Sequence, residues 1–141
     1  VTFLFLTFIE NKGKVIYRIL DIFFVVFHSA IILFNLSGWI WKRTRKWNLA
    51  VLGLTGFSWL VIGLIVGSLG YCPLTDWHFS VLAKLGNSEL PGSYVKYLAD
   101  RLTGLSFDAH MVDMVTLYSF LAALLVSLLL NIKDYLKSRS R

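Results

Sequence analysis

The stretch 49-LAVLGLTGFSWLVIGLIVGSLG-70 runs 22 residues without a charged side chain. A helix rises 1.5 Å per residue, so it extends about 33 Å, enough to cross the roughly 30 Å hydrocarbon core of a bilayer. In lipid, backbone N–H and C=O groups find no water, so such a run must bond internally as a helix. A second run, 111-MVDMVTLYSFLAALLVSLLLNI-132, carries one charge, Asp113. A third, Ile19–Trp41, is interrupted only by Asp21, His28, Asn35 and Ser37. The chain of 141 residues is 57% hydrophobic, with mean hydropathy +0.69. Soluble domains hold about 45–50% apolar residues, and here the excess is concentrated in these runs. The fold class expected is an all-α membrane protein with one domain. Three transmembrane helices fall at about 17–41, 49–70 and 111–132, and two short interfacial helices lie in an outward region, 72–110.

Charge sets the orientation. Lys42, Arg43, Arg45 and Lys46 lie between the first two spans, and Lys133, Lys137, Arg139 and Arg141 follow the third. The acids, Asp134 apart, fall on the opposite side. The positive-inside rule then places the C-terminus in the cytoplasm and the N-terminus outside. The basic run 42-KRTRK-46 sits between two hydrophobic helices. Lys42, Arg43, Arg45 and Lys46 therefore suit anchoring to anionic lipid headgroups, and nucleic acid is not an expected partner. Trp39, Trp41 and Trp47 flank the loop at headgroup level. The start, 1-VTFLFLTFI-9, is too short to span and lacks a basic segment before it. It reads as an interfacial arm preceding a first helix that begins near Val15.

Polar side chains inside lipid are costly and mark helix contacts or function. Asp21, His28 and Asn35 recur every seven residues. Seven residues are close to two helical turns, so the three share a face that turns into the bundle. Alternating topology brings Asp21, Cys72, Asp76, His78, His110 and Asp113 to one outer level, with His28 beneath. In the second span Gly63 and Gly67 form a small-xxx-small pair that permits close helix packing.

The segment 71-YCPLTDWH-78 gathers the only cysteine, a proline, an acid and a histidine. Pro73 lacks an N–H and biases Cys72 away from helix, so the second span is expected to stop close to Cys72, after Gly70. Thr75 is then the expected cap of the next helix, with Asp76 in its positive first turn. Ser93 caps a second short helix, Tyr94–Leu105. Its apolar stripe is Tyr94, Leu98, Leu102 and Leu105, with Lys96, Asp100 and Arg101 on other faces. Cys72, His78 and Asp76 supply hydrolase residue types, but without a papain-like or Gly-x-Ser-x-Gly context. No HExxH or CxxC is present, so no metal ligand is assigned. Three readings of the polar cluster stay open: a structural fastening, a metal or haem site, and proton or quinone chemistry.

Asp21-x6-His28, 71-YCPLTDW-77 and 94-YVKYL-98 together resemble a family of small uncharacterised bacterial membrane proteins. Its members carry an Asp and a His in the first helix, a Cys-Pro-Leu-Thr segment followed by an acid, and a Tyr-Leu pair before the last helix. The likeness covers roughly Ile16 to Tyr135. Two positions depart from the family pattern. Asp76 directly follows Thr75, where the family has a Glu about two residues on, and Asn48 stands where the family often has a second His. The resemblance implies a fold and a location, and no activity. The function expected is a non-catalytic accessory or assembly subunit of a larger membrane complex, with no cofactor and no catalytic residue. The alternative is a small redox protein binding haem, metal or quinone at the outer cluster.

Overall fold

The computed structural model describes residues 2–140, with side chains from Glu10 onward. Every regular element among the described residues is helical: α1 (Thr2–Ser37), α2 (Arg45–Val66), α3 (Pro73–Lys84), α4 (Tyr94–Thr103) and α5 (Ala109–Arg139). Three stretches, Glu10–Ser37, Arg45–Val66 and Ala109–Arg139, are long and apolar enough to cross a membrane. The chain is a multi-pass membrane protein. α1 reaches back to Thr2 and does not start near Val15. The interfacial arm expected over 1–9 concerns side chains outside the described residues.

Burial is inverted relative to a soluble bundle. Leu52, Phe120 and Ala123 form a small apolar core, joined by Trp39, Trp59 and Leu124, while large apolar side chains such as Ile65, Leu64 and Leu33 point outward. The buried set is as polar as it is apolar and includes Asp21, His28, Asn35, Asn48, His78 and Ser127. Lipid is as apolar as leucine, so apolar side chains gain little by leaving it and polar ones gather inside.

At the loop end of the bundle, residues 38–44 connect α1 to α2. Asn48, fully buried, donates through Nδ2 to Phe34 O at 2.7 Å and Asn35 O at 3.3 Å. These are carbonyls in the last turn of α1; Phe34 O also accepts from Gly38 N at 2.8 Å, and Asn48 adds a second donor to it. Gly38 lets Asn48 come this close, since a Cβ there would lie 2.9 Å from Asn48 Nδ2. Asn35 Nδ2 donates to Thr55 Oγ1 at 3.0 Å, and Asn131 Nδ2 donates to Arg45 O at 3.1 Å. Neutral amides thus tie all three spans together. α1 stops at Ser37, short of the expected Trp41. α5 runs past Ile132 to Arg139, where Lys137 and Arg139 favour the negative helix terminus.

α2 ends at Val66, four residues before the expected Gly70. Gly67 takes φ 81°, a left-handed conformation that terminates the helix. The chain then folds back. Ser68 N donates to Gly63 O at 2.8 Å and Gly70 N to Trp59 O at 3.1 Å, while Ser58 Oγ donates to Tyr71 O at 2.9 Å. A π turn over Ser58–Ile62 makes this possible: Gly63 N reaches Ser58 O, five residues back, leaving Trp59 O for Gly70. A Cβ on Gly63 would lie 2.8 Å from Ser68 O. Gly63 and Gly67, expected as a helix-packing pair, therefore serve the reversal of their own chain. The glycine between spans is Gly56, whose added Cβ would meet Phe120 Cζ at 3.3 Å.

α3 begins at Pro73, with Cys72 as its extended N-cap at φ −133° and ψ 118°. Pro suits the first helical position, where no N–H is needed. This corrects the cap expected at Thr75, which lies inside the helix; Asp76 does occupy the first turn. Ser93 caps α4, accepting from Lys96 N at 3.5 Å, and Gly104 at φ 72° ends it. Asp108 caps α5 through Met111 N at 2.9 Å.

Candidate functional site

α3 and α4 close against α1 around one carboxylate. Asp21 receives a two-pronged contact from Arg101: Nη1 donates to Oδ1 at 2.6 Å and Nη2 to Oδ2 at 2.9 Å. His78 Nε2 meets the same Oδ1 at 2.8 Å, and His78 Nδ1 meets Tyr94 Oη at 3.0 Å. A carboxylate only accepts, so Nε2 donates to Asp21; in the neutral ring Nδ1 then accepts from the Tyr94 hydroxyl. Arg101 Nη1 also donates to Tyr97 Oη at 2.6 Å. The result is a continuous chain, Tyr94–His78–Asp21–Arg101–Tyr97, drawn from three helices.

Aromatic rings wall it in. His78 is 0% exposed, stacked on Phe24 at 5.4 Å and met edge-on by Tyr97 at 5.7 Å. Tyr94, 5% exposed, lies flat on His28 with ring centroids 3.8 Å apart. Tyr94 pairs with His28 and Arg101 with Asp21, so the seven-residue step of α4 runs opposite to that of α1. Burial pushes the Tyr94 and Tyr97 phenols above the usual tyrosine range. The bond to Asp21 pushes the Arg101 guanidinium up further. On the outer side of α4, Lys96 and the Phe107 N–H hold the Asp100 carboxyl below its usual value.

The order carboxylate, imidazole, hydroxyl is that of a nucleophile relay. Here the hydroxyl is a buried phenol and the carboxylate is clamped by a guanidinium, so the chain closes on itself. Both His78 nitrogens are engaged. His28 keeps one ring nitrogen, Nδ1, buried without a protein partner.

Of the seven residues expected to converge, Asp21, His28 and His78 do. Asp76 is exposed and accepts from Tyr71 Oη at 3.2 Å, outside the network. Cys72 is a half-buried free thiol at the N-terminus of α3. His110 and Asp113 are exposed on the first turns of α5. A shared level along the bundle axis does not give a shared face. Among the described residues no three His, Cys, Asp or Glu side chains converge as metal ligands.

Sequence reasoning missed Arg101, Tyr94 and Tyr97 as members of the site. It placed Leu102 and Leu105 with Tyr94 and Leu98 on one apolar stripe; Tyr94 is buried, while Leu102 and Leu105, the latter beyond the end of α4, are exposed. The signal was present: Tyr94, Tyr97 and Arg101 stand at i, i+3 and i+7, one helical face. At the loop end, Arg45 is not a free headgroup anchor. Its Nη1 donates to Asp134 Oδ2 at 2.9 Å and its Nε to Trp39 O at 3.0 Å. Lys42, Arg43 and Lys46 are exposed.

These features define a polytopic helical membrane protein whose two connector helices are latched to its first span. The chain belongs to the family described as Protein of Unknown function (DUF2784), whose model matches residues 18–132. That interval holds the whole Asp21 network. No curated protein and no solved structure matches the chain.

Proposed function

We propose that this chain is a non-catalytic accessory or assembly subunit of a larger membrane complex, in a bacterial inner membrane with its N-terminus outward and C-terminus cytoplasmic. One observation carries the reading. The charged groups of Asp21 and Arg101, and both nitrogens of His78, are taken up by the chain's own pairs. Such a cluster fastens a fold, and the surface left for business is apolar, spread along α1, α2 and α5. α3 and α4 sit at the outer interface in this reading, supported by exposed Trp77, Leu102 and Leu105 at the depth where amphipathic helices lie. No cofactor is required.

Purification in mild detergent tests it. Stoichiometric membrane-protein partners are expected; a monodisperse monomer free of other chains contradicts the reading. A reporter fused after Arg141 is expected to be active only when it reads cytoplasmic exposure, and activity outside overturns the orientation.

His28 favours a second reading. Its buried Nδ1 is free to bond one carbonyl oxygen of a quinone or to meet a haem iron, beside the Tyr94 ring. It does not make a metal cage, which takes about four ligands. An absorption spectrum and solvent extraction of the purified protein decide this: a colourless, quinone-free preparation removes it. His28→Leu is expected to abolish ligand retention while sparing membrane insertion if the reading holds. Loss of folded protein in that variant makes His28 structural.

A further inference from the structure

A cavity of about 440 Å³ opens at the loop end, between residues 42–46 and the last turns of α5. Lys42, Arg43, Arg45 and Lys46 line one side, Tyr135 and Ser138 the other. Its volume falls in the range of ligand sites, roughly 300–1,000 Å³. Its charge is lopsided. Asp134, the acid in the lining, is bound to Arg45, while Lys42, Arg43 and Lys46 make no ion pair among the described residues. Arg45, held from two sides by Asp134 and Trp39 O, gives the wall a fixed shape. Outside the lining, exposed apolar side chains lie at the same level of the bundle. Trp41 and Trp47 are exposed beside the basic run, and Ile132 and Leu136 are exposed on the same turns of α5.

We infer that this cavity binds the phosphate of an anionic phospholipid, with Lys42, Arg43 and Lys46 as its counter-charges and the acyl chains laid along Trp41, Trp47, Ile132 and Leu136. Basic recesses at the ends of membrane helices take up anionic headgroups in this way. A free phosphate would use the charges and leave these nearby apolar side chains unused. The inference rests on the membrane-spanning architecture and is independent of the subunit reading, since a chain without protein partners would still hold the lipid.

Native mass spectrometry of the full chain in detergent tests it, with dioleoyl phosphatidylglycerol, dioleoyl phosphatidylcholine and inorganic phosphate as probes. Preferential retention of phosphatidylglycerol is expected. Each basic side chain near the surface contributes about fivefold, so K42Q/R43Q/K46Q is expected to lower retention about 100-fold, and the charge-preserving K42R/R43K/K46R to restore most of it. Should the triple Gln variant fail to accumulate, K42Q, R43Q and K46Q singly are each expected to lose about fivefold. Equal retention of the two lipids, or retention unchanged in the Gln variants, overturns the site. Displacement of phosphatidylglycerol by equimolar inorganic phosphate overturns the lipid and leaves a soluble-phosphate site.

Discussion

The two ends of the bundle are both held by polar groups, but in different proportions: the loop end mostly by amides with one ion pair, Arg45–Asp134, and the connector end by charges gathered on Asp21. At the loop end Asn35, Asn48 and Asn131 bond mostly to backbone carbonyls. The α1–α2 bonds there join residues 13 to 20 positions apart. At the connector end a carboxylate, a guanidinium and an imidazole join residues 57 and 80 positions apart. Neutral amides suit the first task, because they satisfy helix-end carbonyls without bringing charge into lipid. Charges suit the second. A long closure costs more chain entropy than a short one, and charge-assisted, two-pronged bonds are stronger than neutral ones. The loop end is a hairpin of α1 and α2 to which α5 is tied through Asn131 and Asp134. The connector end is a latch, and its opening would free α3 and α4 without separating the spans.

That contrast can be broken most severely at Asp21. Removing one partner of a buried pair costs about 3–5 kcal/mol. Arg101 is partly exposed, so Asp21→Ala is expected to cost about 2–3 kcal/mol. Thermal melting in detergent gives the size, and hydrogen exchange gives the place. Faster exchange is expected over 73–103 with little change over 34–55; a uniform rise would mean the ends are not separate.

Alkali comes next. Tyr94 and Tyr97 are held above the usual tyrosine value of 10.0 by burial. The folded protein therefore keeps protons that the unfolded chain loses above pH 10. The stability from the neutral phenols is complete below pH 10 and falls as pH rises through their folded values. Exchange over α3 and α4 is expected to quicken above pH 10 before that of the amide-held loop end. Simultaneous loss at both ends would contradict this.

The spans, and the inward face shared by Asp21, His28 and Asn35, were legible in the sequence because lipid imposes them: about 20 apolar residues to cross, and polar groups turned away from the tails. The partners of Asp21 were not. On α4 the apolar stripe through Tyr94, Leu98, Leu102 and Leu105 drew the eye, while the face that meets Asp21 and His28 is Tyr94, Tyr97 and Arg101. Gly63 and Gly67 misled as well. Glycine marks both close packing and chain reversal, and only the φ of 81° at Gly67 separates the two.

Asn48→Ala is expected to cost about 1 kcal/mol, the usual net worth of a hydrogen bond, with faster exchange near residues 34–38 only. At the small end, Leu102→Ala is expected to change stability by less than about 0.5 kcal/mol in the same melt, as for exposed positions generally. A larger loss would mean that Leu102 is packed inside the protein.

Asp21 and Arg101 act on each other as a latch. A double-mutant cycle of Asp21→Asn and Arg101→Gln, followed by thermal melting of the purified protein, measures this directly. A coupling of about 1–2 kcal/mol is expected, within the range for residues in one ion-pair network. Single losses that simply add, within about 0.3 kcal/mol, would mean that the two side chains do not hold the connector helices to the first span.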